Sequence, residues 1–273
     1  MRRESVPNLM SIFKSIARTL LPQSMRLSSV CPRLIRQRVV KRTEGRIASG
    51  PFRGMKYLSE SVGSVLEPKL LGIYEKELHG VIDELIGQEP AAIIDIGAAE
   101  GYYAVGLAIR LPNTRVTAFE SETSGQDLLR DLAVRNGVFD RIQILGTCNP
   151  DMLRSAFSVA GRVAVICDVE GAEAELLDPH HVPQLAEAAI LVELHPRRAP
   201  GVKDLILGRF RSTHTIVIVR QELRSVEDFP YREFPVNLIP KAYVENAVSE
   251  FRQPWEDIME WLWMTPKTGQ GNL

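Results

Sequence analysis

The stretch Ala91–Glu120, AAIIDIGAAEGYYAVGLAIRLPNTRVTAFE, decides the architecture. Ala91 to Ile96 is a short apolar run of the kind buried on both faces of a sheet. A turn of small residues follows, Asp95-Ile-Gly97-Ala-Ala-Glu-Gly101. Tyr102 to Arg110 has helical spacing, and Leu111-Pro112-Asn113 closes that helix. Arg115 to Phe119 reads as a second strand and ends on Glu120. Strand, glycine turn, helix, strand and terminal acid make half of a nucleotide-binding βαβ unit.

Chemistry follows from that order. Glycine at the turn tolerates positive φ and lets the backbone approach a ligand. The helix behind it presents unpaired N–H groups. An acid about 20 residues on reaches both ribose hydroxyls of an adenosine. The dinucleotide fingerprint G-x-G-x-x-G is absent, because Gly97, Ala99 and Tyr102 stand at its three positions. An adenosine ligand without a pyrophosphate is therefore expected. Asp95-x-Gly97-x-x-x-Gly101 with Glu120 at the next strand end resembles motifs I and II of class I S-adenosylmethionine-dependent methyltransferases.

The 273 residues suffice for one large domain, or one domain with an appendage. A 45% hydrophobic and 25% charged composition is that of an ordinary globular protein. The net charge of −1 hides an asymmetry: residues 1–50 carry 11 Lys/Arg against 2 Asp/Glu, a basic arm on an acidic body. Cys31, Cys148 and Cys167 are an odd count without CxxC pairing, which argues against a disulfide framework. No apolar run reaches the roughly 18 residues of a membrane span, and no signal-peptide pattern is present, so a cytoplasmic location is expected.

In the arm, Leu9, Ile12, Phe13, Ile16 and Leu20 share one helical face of residues 8–21. That face suits peripheral contact with an anionic membrane, or packing against this domain or a partner. The arginines from Arg33 to Arg46 lack interleaved aromatics, so no nucleic-acid partner is expected. Oligomeric state is not legible. Residues 1–49 are taken as a basic, partly amphipathic extension, 50–266 as the catalytic domain and 267–273 as a tail.

Gly50 to Met55 reads as a turn or short hairpin. Leu70, Leu71, Tyr74, Leu78, Ile82 and Leu85 predict one helix over Lys69 to Ile86, and Tyr74 and Glu75 could flank a cofactor pocket from it. Further helices and strands alternate: a helix at Gln126–Arg135, then strands at Arg141–Leu145, Arg162–Cys167, Ala188–Leu194 and Thr213–Arg220. A last strand near Ile258–Met264 is expected to pair antiparallel with the sixth. The excursion between them is expected to hold a short helix near Tyr243 to Phe251.

Open α/β sheets bind ligands at the carboxyl ends of their strands. That edge collects Asp95 and Gly97, Glu120, Thr147 and Cys148, Asp168 and Glu170, and Glu193 and His195. CDVEGAE (Cys167 to Glu173) and ILVELHP (Ile190 to Pro196) resemble the strand ends of the FkbM family of methyltransferases, and DIGAAEGYYA resembles its glycine loop. The resemblance covers Ala91 to His195. It implies S-adenosylmethionine as cofactor, a Rossmann-like, doubly wound, mostly parallel seven-stranded sheet, and O-methylation of a small-molecule or glycan hydroxyl. It places Asp95, Gly97, Ala98, Gly101, Tyr102, Glu120, Thr147, Cys148 and Asp168 around the cofactor.

His195 is the candidate general base, because imidazole accepts a proton near neutrality; Glu193 or Asp168 would orient it. Glu170 and Glu173 are candidates for a helix N-terminus. Asp168, Glu170, Glu193 and His195 offer oxygen-rich ligation plus one imidazole, yet nothing in their spacing demands a metal, and none is expected. Cys148 has no sequence neighbour that would make it a nucleophile. His79, His180, His181 and His214 read as structural. Two other functions stay open: a non-catalytic subunit docked through the N-terminus, and a nicotinamide-dependent oxidoreductase, which the missing third glycine disfavours.

Overall fold

The computed structural model describes residues 27–59, 65–158, 160–250 and 259–267. The amphipathic segment 8–21 and the tail beyond Lys267 lie outside the described residues. The core is a seven-stranded sheet: β1 (Ala92–Ile96), β2 (Arg115–Phe119), β3 (Ile142–Leu145), β4 (Val163–Cys167), β5 (Ala189–Leu194), β6 (His214–Arg220) and β7 (Glu260–Pro266), in the order β3-β2-β1-β4-β5-β7-β6. β1 to β5 run parallel, and β7 is antiparallel to both β5 and β6. The last strand thus pairs with β6 as expected, and also separates β6 from β5.

Every residue of β1, β4 and β5 is buried, which is why these strands read as unbroken apolar runs rather than alternating ones. Successive side chains feed opposite layers. Ile93 joins the core under the N-terminal helices, while Ala92, Ile94 and Ile96 join the core on the other face. β1 lies between β2 and β4, so the chain turns one way from it and then the other. The crevice at that switch point is the expected ligand site.

The helix expected over Lys69 to Ile86 is broken. Helix α2 (Leu66–Leu71) stops at Gly72, which is left-handed at φ 72°. A Cβ there would meet the Ser49 carbonyl oxygen at 2.1 Å, so the chain crossing requires glycine. Glu75 is also left-handed at φ 44°, and helix α3 (His79–Gly87) starts only after a 3-10 turn. The apolar spacing was compatible with one helix; the close crossing of Ser49 overrode it. The break turns Tyr74 and Glu75 inward over the sheet.

Residues of the basic extension fold onto the body. Helix α1 (Leu27–Thr43) buries Ile35 and Val39 completely and packs against α2 and against the helix Lys241–Val248, which lies within the excursion where a short helix was expected. Arg38 reaches Glu233 at 2.8 Å, and Arg42 bonds the other oxygen of the same carboxylate. Among the described residues no helix is long and apolar enough to cross a membrane.

Candidate active site

The glycine turn after β1 is shaped first by the protein itself. Gly97 has φ 84°, and a Cβ on it would lie 1.7 Å from the Asp168 carbonyl oxygen at the end of β4. Glycine is needed here because two strand ends nearly touch. Gly101, at φ 92°, starts helix α4 (Tyr102–Arg110), and a Cβ on it would meet Leu129 at 2.9 Å. Glu120 ties the turn to β2: one carboxylate oxygen accepts from Ala99 N–H at 2.7 Å and the other from Glu122 N–H at 2.8 Å. Gly125 leaves room for this side chain, since a Cβ there would lie 2.8 Å from Glu120 Cγ.

Two cavities meet at Gly97 and Asp168. The outer one, about 820 Å³ of solvent-open space, is lined by Phe119, Glu120, Thr147, Cys148 and Glu170 among others. The inner one is narrow, with only about 50 Å³ open to a water-sized sphere, and is lined by Tyr74, Glu75, Asp95, Tyr102, Glu193 and Trp261 among others. Of the residues expected around a cofactor, Glu120, Thr147 and Cys148 face the outer cavity, Asp95, Ala98 and Tyr102 the inner, and Gly97 and Asp168 both. Gly101 lines neither. Such a pair suits a ligand with an adenosine at one end and a charged centre at the other.

The inner cavity is acidic. Burial first, and then the like charge of Asp168, pushes Asp95 up to about 7. Burial also pushes Glu75 up to about 7, although hydrogen bonds from Tyr103 and Tyr74 oppose it. Glu193 is raised well above the usual carboxylate range by burial and then by Asp168 and Glu75. The ammonium lining this cavity, Lys69, is 2.5 Å from Glu100, a buried pair that also receives the Tyr57 hydroxyl at 2.8 Å. Carboxylates and aromatic rings around one space favour a cationic guest.

His195 follows β5 and stands beside both cavities. Its Nδ1 is 2.5 Å from Glu173 Oε1, and that oxygen also accepts from Gly171 N–H at 3.0 Å. Its Nε2 faces Asp168 at 3.5 Å, Glu193 at 3.6 Å and Glu170 at 3.8 Å. The orienting partner is therefore Glu173, not Glu193 or Asp168 as the sequence led us to expect. Glu173 does open a one-turn helix (Glu173–Leu176), but its carboxyl turns back under the imidazole and is fully buried. Burial alone would lower the His195 pKa; the Glu173 bond and the carboxylates around Nε2 raise it.

Sequence reasoning missed Lys69, Tyr103 and Trp261, which line the inner cavity. Their side chains converge only through the break after α2 and the pairing of β7 with β5, and neither has a local signal. Glu173 was visible within DVEGAE, but its direction was not. Burial pushes the Cys148 thiol up to about 12, which suits a lining residue rather than a nucleophile. His214 is buried, with Nε2 2.9 Å from the Ala188 carbonyl oxygen, a structural role.

No protein-family model matches the chain. The release factor glutamine methyltransferase of Chlorobaculum tepidum is 33% identical over 134 residues, 48% of this chain and 41% of the relative. The chain thus spans less than half the length of that relative. An O-methyltransferase of Bacillus cereus solved with S-adenosylhomocysteine superposes with a TM-score of 0.43 at 10% identity, over 94% of this chain and 97% of that one. An rRNA methylase of Streptococcus thermophilus gives 0.45 at 8% identity, over 69% and 96%. The strand order itself makes the fold a Rossmann-like, doubly wound one, with its crevice at the β1–β4 switch point.

Proposed function

We propose that the protein transfers a methyl group from S-adenosylmethionine to a hydroxyl oxygen on a sugar, glycan or secondary metabolite, as an FkbM-like methyltransferase. The carrying observation is the wall shared by the two cavities, Gly97 and Asp168, with Glu120 on one side and the His195 cluster on the other. Glu120 is placed to take the ribose hydroxyls, exchanging them for the loop amides that it now accepts from. Thr147 and Cys148 border the adenine end. Asp95, Glu75 and the inner aromatic rings surround the positive end of the cofactor, which supplies an electrophilic methyl on a sulfonium.

Bound S-adenosylmethionine would supply its methyl to the acceptor oxygen, the C–S electron pair staying on sulfur, and the chain's own residues must take up the hydroxyl proton. In the metal-free protein His195 Nε2 takes that proton, because Glu173 holds Nδ1–H and fixes the tautomer. Asp168 and Glu193 position the acceptor and stabilise the imidazolium. Alignment carries most of the remaining rate.

The test is calorimetric titration of the purified chain with S-adenosylhomocysteine, with NAD in parallel. Binding of the former alone is expected. Glu120→Ala should weaken it by roughly 1.5–3 kcal/mol, the worth of a hydrogen bond to a charged group. Binding of NAD alone, or of neither, overturns the proposal.

A further inference from the structure

We infer that Asp168, Glu193 and His195 form a divalent-cation site at the carboxyl ends of β4 and β5. Each offers one donor atom, and the three donors lie within 4.8 Å of one another. His195 Nε2 is 3.5 Å from Asp168 Oδ1 and 3.6 Å from Glu193 Oε1, too far for hydrogen bonds. Two donors each about 2.1 Å from one ion stand roughly 3.0–3.5 Å apart, between octahedral and tetrahedral angles. The two distances from the imidazole stand at and just beyond the upper limit of that spacing, so the donors need only close in slightly on an ion. Glu170 Oε2, 3.8 Å from the same nitrogen and paired with Arg198 at 3.0 Å, borders it on the solvent side.

Two observations separate this cluster from a group of neighbouring acids. The imidazole is fixed from behind by a fully buried carboxylate, Glu173, which directs Nε2 toward the acidic side chains. That arrangement orients metal-binding histidines and raises their basicity. Asp168 Oδ1 is also shut off from solvent without a hydrogen-bond partner, although the side chain as a whole is 44% exposed. A buried carboxylate oxygen without a donor is costly, and a cation bound by Asp168 Oδ1 would satisfy it. One imidazole with two carboxylate oxygens favours a first-row divalent ion such as Mn²⁺ over Mg²⁺.

The catalytic consequence rests on the methyltransferase reading. With a cation bound, the Nε2 lone pair is a ligand, and an acceptor hydroxyl on the ion loses its proton to water instead. The methyl carbon still passes from sulfur to oxygen, with the C–S electron pair returning to sulfur.

The experiment is Mn²⁺ titration of the chelator-treated full chain, read by the loss of the free-ion paramagnetic resonance signal. S-adenosylhomocysteine calorimetry and circular dichroism run alongside. One ion per chain is expected. Glu193→Gln and Asp168→Asn should each weaken it at least tenfold, and Glu173→Gln roughly 10–100-fold, as for outer-shell partners elsewhere. No Mn²⁺ binding at millimolar concentration, or unchanged binding in folded Glu193→Gln and Asp168→Asn, overturns the cation site. S-adenosylhomocysteine binding without Mn²⁺ binding would sink the site and leave the methyltransferase reading; the converse would keep the site and sink that reading.

Discussion

Glu173 Oε1 lies 2.5 Å from Nδ1 of His195, and the carboxyl that makes this contact is closed off from solvent. A buried carboxylate needs donors, and Oε1 has two, the imidazole N–H and Gly171 N–H, while Oε2 is buried without one. Replacing Glu173 by Gln keeps the shape but removes the charge. The His195 pKa should fall, and the fold should lose on the order of 1–3 kcal/mol. Proton NMR titration of the imidazole, beside a denaturant melt, checks both. An unmoved His195 pKa would show that the pair is only packing.

Gly97→Ala should be among the most damaging single changes. Its φ of 84° is strained for alanine, and the new methyl would fall 1.7 Å from the Asp168 carbonyl oxygen. Strain and overpacking together predict a loss of about 3 kcal/mol or more. Gly146→Ala is the control, because a Cβ there meets nothing within 4 Å. Equal melting temperatures for the two variants would mean that the β1–β4 approach is looser than described.

Arg224 anchors the excursion to the inner cavity. Its guanidinium is 2.5 Å from Glu77 and 3.0 Å from Glu250, all three side chains being buried, and Glu250 also accepts from Glu75 N–H at 3.1 Å. Arg224→Met strands two buried carboxylates, and the expected cost is about 3–5 kcal/mol. Chemical denaturation measures it. A loss below about 1 kcal/mol would contradict this anchoring role.

Stability should fall as pH rises from about 4 to 7. Asp95 and Glu75 are pushed up to about 7 in the fold, chiefly by burial, whereas in the unfolded chain both titrate near 4. In that window the folded protein holds protons that the unfolded chain has released, so their contribution is full below the unfolded pKa and lost through the folded one. His195, raised in the fold, acts in the same direction over its own range. The melting temperature should be higher at pH 6 than at pH 8, at roughly 2–4 °C per kcal/mol. Glu75→Gln should flatten the curve; a curve rising from pH 6 to 8 would refute the account.

Much of the fold was legible. β1, the glycine turn, α4 and β2 follow from local signals: apolar runs of strand length, positive-φ glycines, and a proline just past a helix end. The strand-end rule alone collects Asp95, Glu120, Asp168, Glu193 and His195 along one edge. Strand identity was local too, so the seventh strand was found, but its insertion between β5 and β6 was not. Pairing partners are chosen by contacts between distant segments, which no window of sequence reports.

The sequence by itself determined the βαβ unit, the carboxylate-rich edge and the presence of a histidine there, because each rests on residue type and spacing along one segment. Tertiary structure alone decided which acid holds that histidine. The turn after β4 folds Glu173 back under His195 and leaves Asp168 and Glu193 facing Nε2. It also decided that the helix before β1 breaks, since the constraint on Gly72 comes from Ser49, a residue with no periodic relation to it. Helical periodicity describes one segment against a generic core; where two backbones cross within van der Waals contact, the neighbour sets the conformation.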